Sequence, residues 1–372
     1  EIGVRLVGSE MCIRDRLCLL NILSAEVLLM TDFKLLEKLC TVEGISGDEG
    51  SVREIIINEI KPFADEIKTD NLGNIIVFKK GKNRAKAKLM LSAHMDEVGF
   101  MVTDITSDGY LKFDEVGGLD RRVVLGKTVT VGKNNVNGVI GVKPIHLSKS
   151  DERTAVPKYG EMYIDIGATS KDDALSVVSY GDSVNFNSIY ENNGYTIKSK
   201  AIDDRFGCLA LIELIKSELD YDMHFVFAVQ EEVGLRGAKV AAYSVDPEFA
   251  IVVETTTAAD IAGVEETRQV CNLGDGAVIS VMDRRTIYDK RMSEMAFECA
   301  EETGAKAQYK RAVAGGNDSG VIHQSRGGVK TLAISLPCRY LHSSVTVANV
   351  SDCDDIMKIV SALANKIAGG EY

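Results

Sequence analysis

Two adjacent carboxylates, Glu231 and Glu232, follow directly on the apolar segment "FVFAVQ". A short run of aromatic and β-branched residues is typical of a buried strand. An unpaired carboxylate avoids the protein interior, because removing its charge from water is costly unless a positive group compensates. The pair therefore either points into water or faces a cation.

Other strand-like segments end on the same kinds of side chain. His94 follows "LMLSA", Glu254 follows "AIVV", and His342 lies just past "TLAISLPCRYL". A second acidic pair, Asp203 and Asp204, precedes a predicted buried helix in "AIDDRFGCLALIELI". Because open α/β sheets bind ligands at the carboxyl ends of their strands, we expect these side chains to gather at one edge.

Carboxylate oxygens combined with imidazole nitrogens suit Zn²⁺, Co²⁺ or Mn²⁺. Each element of the pattern has an ordinary explanation: a satisfied polar residue, a helix N-cap or a solvated turn. Together these explanations require several strand ends to become polar by accident, so a metal site is favoured. In "HMD", Asp96 could accept the second N–H of His94 and fix its tautomer.

Strands and helices alternate over residues 30–96 and 191–372. This order predicts an α/β fold with a mostly parallel, helix-covered sheet. Residues 97–190 contain short β-type runs separated by Gly, Asp and Asn, which predicts an inserted small β-barrel. The closing helix is expected to begin with Ser351 as its N-cap.

Composition excludes some functions and favours others. The 372 residues suit two domains, and the net charge of −12 argues against nucleic acid as a partner. No segment has the ~18 to 20 apolar residues that a membrane span needs. Eight separated cysteines without a C-x-x-C pair indicate reduced thiols in a cytoplasmic protein. Residues 1–29 are interpreted as extraneous to the fold, with a natural start at Met30.

Six segments resemble, in order, motifs of the tetrahedral aminopeptidase family of dinuclear metallopeptidases. They are "SAHMDEVGFMV", "AIDDRFGCLAL", "VQEEVGLRGA", "VVETTTAAD", "GGNDSGVIHQSRGG" and "CRYLHSSVTVANVSD". The family includes glutamyl and deblocking aminopeptidases and members mislabelled as endoglucanases. The resemblance extends from Met30 to the C-terminus.

The resemblance implies an enzyme that removes N-terminal residues from short peptides, using a water that bridges two divalent metal ions. It implies a zinc-peptidase-like catalytic domain in residues 30–96 and 191–372. It also implies that the inserted barrel, residues 97–190, mediates dimer contacts and that dimers assemble into a hollow dodecamer.

The resemblance further implies five metal ligands per subunit, which are His94, Asp203, Glu232, Glu254 and His342. Asp203 would bridge the two ions. Glu232 and His342 would complete one site. His94 and Glu254 would complete the other. The ions would be Zn²⁺, Co²⁺ or Mn²⁺.

Two further residues receive roles from the same resemblance. Glu231 would be the general base, and Asp96 would orient His94. One position departs from the pattern, because Glu254 stands where many members carry Asp. Its longer side chain leaves the geometry of that metal open.

Two alternative functions remain at this point. The first is a related metal-dependent deacylase or carboxypeptidase, and the second is a catalytically silent peptide-binding homologue. Because the aminopeptidase hypothesis depends on a free substrate amine, an N-terminally blocked substrate distinguishes it from the first alternative.

The remaining histidines and the arginines near the motifs receive weaker interpretations. His146, His224 and His323 are interpreted as structural. Arg326 and Arg339 could recognise a substrate carboxylate or simply make ion pairs. No single Arg or Lys can be assigned from the sequence to a pocket that selects the substrate side chain.

Overall fold

A computed structural model of the chain describes residues 31–150 and 153–372. The segment 1–29, interpreted above as extraneous, lies outside the described residues. The described chain forms an eleven-stranded sheet with helices on its faces and a separate closed barrel of six strands. It is a mixed α/β fold with an antiparallel barrel.

The elements are numbered in chain order. The strands of the large sheet are β1 (Glu66–Thr69), β2 (Ile75–Lys79), β3 (Leu89–His94), β10 (Glu191–Asn192), β11 (Thr196–Ser199), β12 (Met223–Ala228), β13 (Phe249–Thr257), β14 (Ala277–Ile279), β15 (Ala307–Tyr309), β16 (Lys330–Arg339) and β17 (Thr346–Asn349). The barrel strands are β4 (Gly99–Ile105), β5 (Leu111–Val116), β6 (Thr128–Val131), β7 (Val136–Val142), β8 (Met162–Asp165) and β9 (Ser183–Phe186). The α-helices are α1 (Phe33–Thr41), α2 (Gly50–Ile60), α3 (Lys171–Leu175), α4 (Ile202–Lys216), α5 (Arg236–Val245), α6 (Lys290–Thr303), α7 (Ser319–Ile322) and α8 (Val350–Ala368).

The centre of the large sheet is parallel. Strands β12, β3, β13 and β16 are neighbours in that order, and each adjacent pair runs in the same direction. Nearly every residue of these strands is buried, because helices cover both faces. Their carboxyl ends therefore lie along one edge.

The flanks of the sheet are antiparallel, so the prediction of a mostly parallel sheet is only partly correct. Strands β1 and β2 form a hairpin that pairs antiparallel with β12. On the other side β17, β11 and β10 continue antiparallel from β16. Short connections such as the turn between β1 and β2 allow only antiparallel pairing, whereas a parallel pair needs a crossover.

The barrel closes in the order β4-β5-β8-β7-β6-β9, and all of its pairings are antiparallel. Its interior is filled by apolar residues that alternate with outward-facing ones, including Phe100, Phe113 and Phe186. The chain enters the barrel directly from the sheet edge, since β3 ends at His94 and β4 begins at Gly99.

The closing helix begins earlier than predicted. Asn349, not Ser351, is the N-cap of α8, and its side-chain oxygen accepts the Ser351 N–H at 2.8 Å. The sequence pattern did not reveal this helix start, because strand β17 runs directly into the helix without a turn.

Two further observations concern the described residues as a whole. None of the helices in residues 31–150 and 153–372 is long and apolar enough to cross a membrane. The cysteines in this part of the chain are unpaired and buried: Cys40, Cys208, Cys271, Cys299, Cys338 and Cys353.

Candidate active site

The four parallel strands deliver polar side chains to their common edge. His94 is the last residue of β3, and Glu254 lies in the second half of β13. After β12 the chain turns at Gln230, whose φ is 55°, and then presents Glu231 and Glu232. These positions are close because neighbouring parallel strands are in register.

The other two predicted ligands come from outside the strands. His342 follows β16 and has a φ of 53°, a left-handed conformation that reverses the chain at the edge. Asp203 stands in the first turn of α4, where its φ and ψ of −80° and 108° are not helical. The peptide bond between Asp203 and Asp204 is cis.

The five predicted ligands form two overlapping groups. The Nε2 atom of His94 lies 3.3 Å from Asp203 Oδ1 and 3.5 Å from Glu254 Oε1. The Nε2 atom of His342 lies 3.4 Å from Asp203 Oδ2 and 3.3 Å from Glu232 Oε2. The two oxygens of Asp203 therefore face different imidazoles.

Main-chain carbonyls orient both imidazoles. The Nδ1 atom of His94 lies 3.0 Å from the carbonyl oxygen of Asp96, and that of His342 lies 2.9 Å from the carbonyl oxygen of Gly118. A carbonyl can only accept, so each Nδ1 carries a proton, which leaves Nε2, on the carboxylate side, as the atom that could bind a metal ion.

The carboxylate of Asp96 lies beside His94, as the "HMD" spacing predicts, and it has further partners. Its nearer oxygen is 3.5 Å from His94 Nδ1, so the Asp96 carbonyl is the closer acceptor. The carboxylate accepts the Ser46 hydroxyl at 2.6 Å and the main-chain N–H groups of Glu231 and Glu232 at 3.0 and 3.1 Å. Asp96 thus ties the end of β3 to the turn after β12.

By distance alone, Asp204 is as plausible a metal ligand as Asp203. Ligand atoms of His94, Asp204 and Glu254 lie within 4.8 Å of one another, as do those of His94, Asp203 and Glu232. However, Asp204 accepts the main-chain N–H of Gly207 at 3.0 Å and that of His94 at 3.3 Å. The helix-capping explanation therefore fits Asp204, while Asp203 faces the imidazoles.

The electrostatics of the cluster favour a bound positive charge. Burial raises the pKa of Glu232 to about 8, and burial together with neighbouring carboxylates raises the pKa of Glu231 well above its ordinary value. Burial lowers the pKa of His342, but Asp203 and Glu232 outweigh that effect and raise it to about 9. Carboxylates that resist ionisation beside imidazoles that retain protons indicate a site short of positive charge.

A cleft of about 430 Å³ opens onto this cluster. Its wall combines site residues with residues 255–257 of β13, the loop 314–317, Asp120 and Lys310. This loop lies beside the cluster. No sequence pattern pointed to Lys310, which follows a short edge strand.

The remaining candidates lie away from the cleft wall. Arg339 makes a two-pronged ion pair with Asp260, with both N–O distances at 2.7 Å. Arg326 lies over the ring of Tyr243. His323 contacts the carbonyl oxygen of Ser319 at 2.7 Å. These contacts agree with structural roles.

Comparison with known proteins identifies the family. The sequence profile of the M42 glutamyl aminopeptidases matches residues 73–359. The chain belongs to this family. The predicted resemblance to the tetrahedral aminopeptidases is thereby confirmed, as is the prediction of a peptidase.

Individual relatives are similar to this chain over nearly their whole length. A putative aminopeptidase of Acetivibrio thermocellus is 41% identical over 88% of this chain and 97% of its own. A lysyl aminopeptidase of Pyrococcus furiosus is 32% identical over 91% of this chain and 98% of its own.

Solved structures of related peptidases have the same fold. A TET aminopeptidase from a marine sediment archaeon of the Thaumarchaeota superposes with a TM-score of 0.86 at 34% identity, covering 90% of this chain and 96% of that one. The TET1 peptidase of Pyrococcus horikoshii, which can assemble into a tetrahedron or a large octahedral shell, gives 0.79 at 36% identity, covering 89% and 98%.

Proposed function

We propose that this M42 peptidase is a dinuclear metal-dependent aminopeptidase acting on short peptides, with the zinc-peptidase-like catalytic domain formed by residues 30–96 and 191–372. The observation that carries the proposal is the position of Asp203 between two sets of ligands. One set contains His94 and Glu254, and the other contains His342 and Glu232. A bridging carboxylate with two His-carboxylate pairs is a donor set that suits two divalent ions.

The donor set fits Zn²⁺, Co²⁺ or Mn²⁺, and the unbalanced negative charge of the cluster supports a cation there. Bound divalent ions would polarise the scissile carbonyl and lower the pKa of water. Glu254 reaches His94 to 3.5 Å despite its longer side chain, so this departure from the usual Asp is compatible with the site.

Glu231 is the proposed general base. It lines the cleft beside the ligands, and Asp96 fixes its main chain through the 3.0 Å hydrogen bond. Its raised pKa, caused first by burial, makes the carboxylate a strong proton acceptor near neutral pH. It would take a proton from the attacking water and transfer it to the leaving amine.

The acidic cluster also explains why the enzyme would act as an exopeptidase, which removes only the N-terminal residue. Asp203, Glu231 and Glu254 line the cleft, and their negative charge attracts the free α-ammonium of a peptide. A peptide whose amine is anchored at the cluster places its first peptide bond beside Glu231. Cleavage is therefore limited to the N-terminal residue.

The proposal extends to assembly and location. The TET1 peptidase of Pyrococcus horikoshii can assemble into a tetrahedron or a large octahedral shell, and PhTET1-12s is a dodecamer. These relatives support a homo-oligomer here, built from dimers joined through the barrel, residues 97–190, and reaching a dodecamer. The cytoplasmic location rests on the unpaired, buried cysteines.

The test is metal-dependent release of N-terminal residues from short peptides. Chelation should abolish release, and Zn²⁺, Co²⁺ or Mn²⁺ should restore it. No release with any of these ions would contradict the proposal. Hydrolysis of N-acetylated peptides as fast as free ones would instead favour the deacylase or carboxypeptidase, and purified protein without bound metal would favour a silent peptide-binding homologue.

A further inference from the structure

Glu49 is a buried carboxylic acid in the loop that leads into α2. It is 3% exposed and occupies the N-cap position of that helix. A polar side chain at this position ordinarily accepts a main-chain N–H of its own helix, but that of Glu49 makes no such hydrogen bond. The helix therefore does not explain why an acidic side chain is buried here.

The carboxylate of Glu49 reaches instead to the turn that presents Glu231. Its Oε1 atom accepts the main-chain N–H of Gln230 at 3.2 Å and that of Gly47 at 2.7 Å. A buried carboxylate is unfavourable without hydrogen-bond donors, and these two N–H groups supply them. Glu49 is thus joined to the residue that directly precedes the proposed base, although the two lie 181 positions apart in the chain.

Two buried carboxylates hold three consecutive N–H groups of this turn. Glu49 accepts from Gln230, and Asp96 accepts from Glu231 and Glu232 at 3.0 and 3.1 Å. Gln230 has a φ of 55°, a left-handed conformation that is unfavourable for a residue with a side chain. The hydrogen bonds to the N–H groups of Gln230 and Glu231 lie on either side of this conformation, so together they hold the chain in it.

The acidic residue next to Glu49 in the chain has a different partner. Asp48 is exposed, and its carboxylate accepts the hydroxyl of Ser183, in the barrel strand β9, at 2.6 Å. Adjacent carboxylates of one loop therefore contact different regions. Asp48 contacts the barrel, and Glu49 contacts the turn that carries the proposed base.

We propose that Glu49 is a positioning residue, which holds the turn at Gln230 so that the carboxylate of Glu231 faces the cleft. This inference rests on the proposed aminopeptidase function, in which Glu231 is the base. Glu49 is not among the residues that line the cleft, so it acts on the reaction through the main chain of Gln230. A bound metal ion would also hold Glu232, whereas Glu231, which is not a ligand in the proposal, depends on the turn.

The experiment removes the acceptor with Glu49→Leu, replaces it with a neutral acceptor in Glu49→Gln, and measures kcat and KM per metal-loaded subunit. Glu49→Leu should lower kcat by about 10- to 100-fold with KM nearly unchanged, since a small misplacement of a reacting group can cost that much. Glu49→Gln should recover most of the loss, because its amide oxygen can accept the same N–H groups. A role in folding alone would reduce the loaded fraction and leave kcat per loaded subunit unchanged.

Asp48→Leu is the matched control, and its kcat should equal that of the wild type, because Asp48 contacts the barrel. A second comparison covers the case in which Glu49→Leu does not fold. Glu49→Asp keeps the charge but shortens the side chain by one methylene, so it should lose more kcat than Glu49→Gln, which keeps the length. Wild-type kcat in folded Glu49→Leu, or a Glu49→Gln variant no more active than Glu49→Asp, would overturn the assignment.

Amide hydrogen exchange separates this inference from the proposed function. Glu49→Leu should raise exchange in residues 229–235 by about tenfold, as expected for the loss of one hydrogen bond, and leave strand β7 of the barrel unchanged. If no peptide is cleaved but this exchange rises, the proposed function fails and the role of Glu49 in holding the turn stands. If peptides are cleaved and Glu49→Leu changes neither the exchange nor kcat, only the role of Glu49 fails.

Discussion

The interior of the barrel and the carboxyl edge of the sheet are both buried, but they are built from opposite kinds of residue. The barrel interior is apolar, with Phe100 packed edge-on against Phe113 and Phe186 at centroid distances of 5.0 and 5.3 Å. At the sheet edge, His94 and Glu254 are 2% and 5% exposed. The barrel interior buries apolar side chains, whereas the sheet edge buries ionisable side chains.

This difference between the two buried regions indicates which of them needs a ligand. Apolar burial is favourable in itself and non-directional, so the barrel is complete when its strands close. Buried carboxylates are unfavourable unless a positive charge compensates them, so the sheet edge favours a bound cation. The regions meet at Gly118, whose carbonyl follows the barrel strand β5 and orients His342.

The sharpest test of the charged region is Glu231→Gln. Removing the proposed base should lower kcat by about 10²- to 10⁴-fold, while the metal content of the purified protein stays at the wild-type level. Glu232→Gln is the comparison variant, and it should lose metal because Glu232 faces His342. Metal loss in Glu231→Gln would mean that the two roles are exchanged.

The apolar region is tested on one strand of the barrel. Ile140 is 1% exposed and its neighbour Val139 is 45% exposed, because successive residues of β7 point to opposite faces. Ile140→Ala should lower the free energy of unfolding by about 2 to 5 kcal/mol, and Val139→Ala by less than about 1 kcal/mol. Urea unfolding measures both.

The metal content of folded Ile140→Ala provides the control for this comparison. It should match the wild type, because Ile140 contacts none of the ligands and lies within the barrel core. A loss of metal from correctly folded Ile140→Ala would show that the two regions are not separate.

A third histidine, His224, separates the effect of burial on the pKa from the effect of neighbouring charges. His224, on β12 against the ring of Phe78, is half-buried, and burial together with the charge of Lys88 outweighs the opposing charge of Asp222 and lowers its pKa to about 4. His342 sits among carboxylates and has its pKa raised to about 9. Burial lowers the pKa of both imidazoles, so the carboxylates around His342 explain why its pKa moves in the opposite direction.

The lowered pKa of His224 makes a prediction about acid stability. The unfolded state binds a proton near pH 6.5 and the folded state near pH 4, so stability is present above pH 6.5 and is lost as the pH falls toward 4. Because the ring is partly solvated, the loss between pH 7 and pH 5 should be about 1 kcal/mol. His224→Gln should remove that part of the pH dependence in urea unfolding. The exposed His146→Gln should leave it unchanged, and equal effects of both variants would contradict the interpretation.

Much of the site was accessible from the sequence, because strand ends are recognisable. His94 and Glu254 close apolar runs, and the rule for parallel sheets predicts that such ends meet. The exact partners were not accessible. The Gly118 carbonyl that orients His342 lies 224 positions away in the chain, and no local pattern joins the two. The sheet's antiparallel flanks and the Asn349 cap were missed because short elements have weak periodicity.

The sequence by itself determined the features that depend on local patterns. These are the alternation of strands and helices, the short β-type runs of residues 97–190, and the presence of carboxylates and imidazoles where strands end. Each of these depends on neighbouring residues along the chain. The tertiary structure alone decided that Asp203 lies between two imidazoles while Asp204 caps a helix, and that Lys310 lines the cleft. Those outcomes depend on distances between segments far apart in sequence, which only the packed sheet and its helices set.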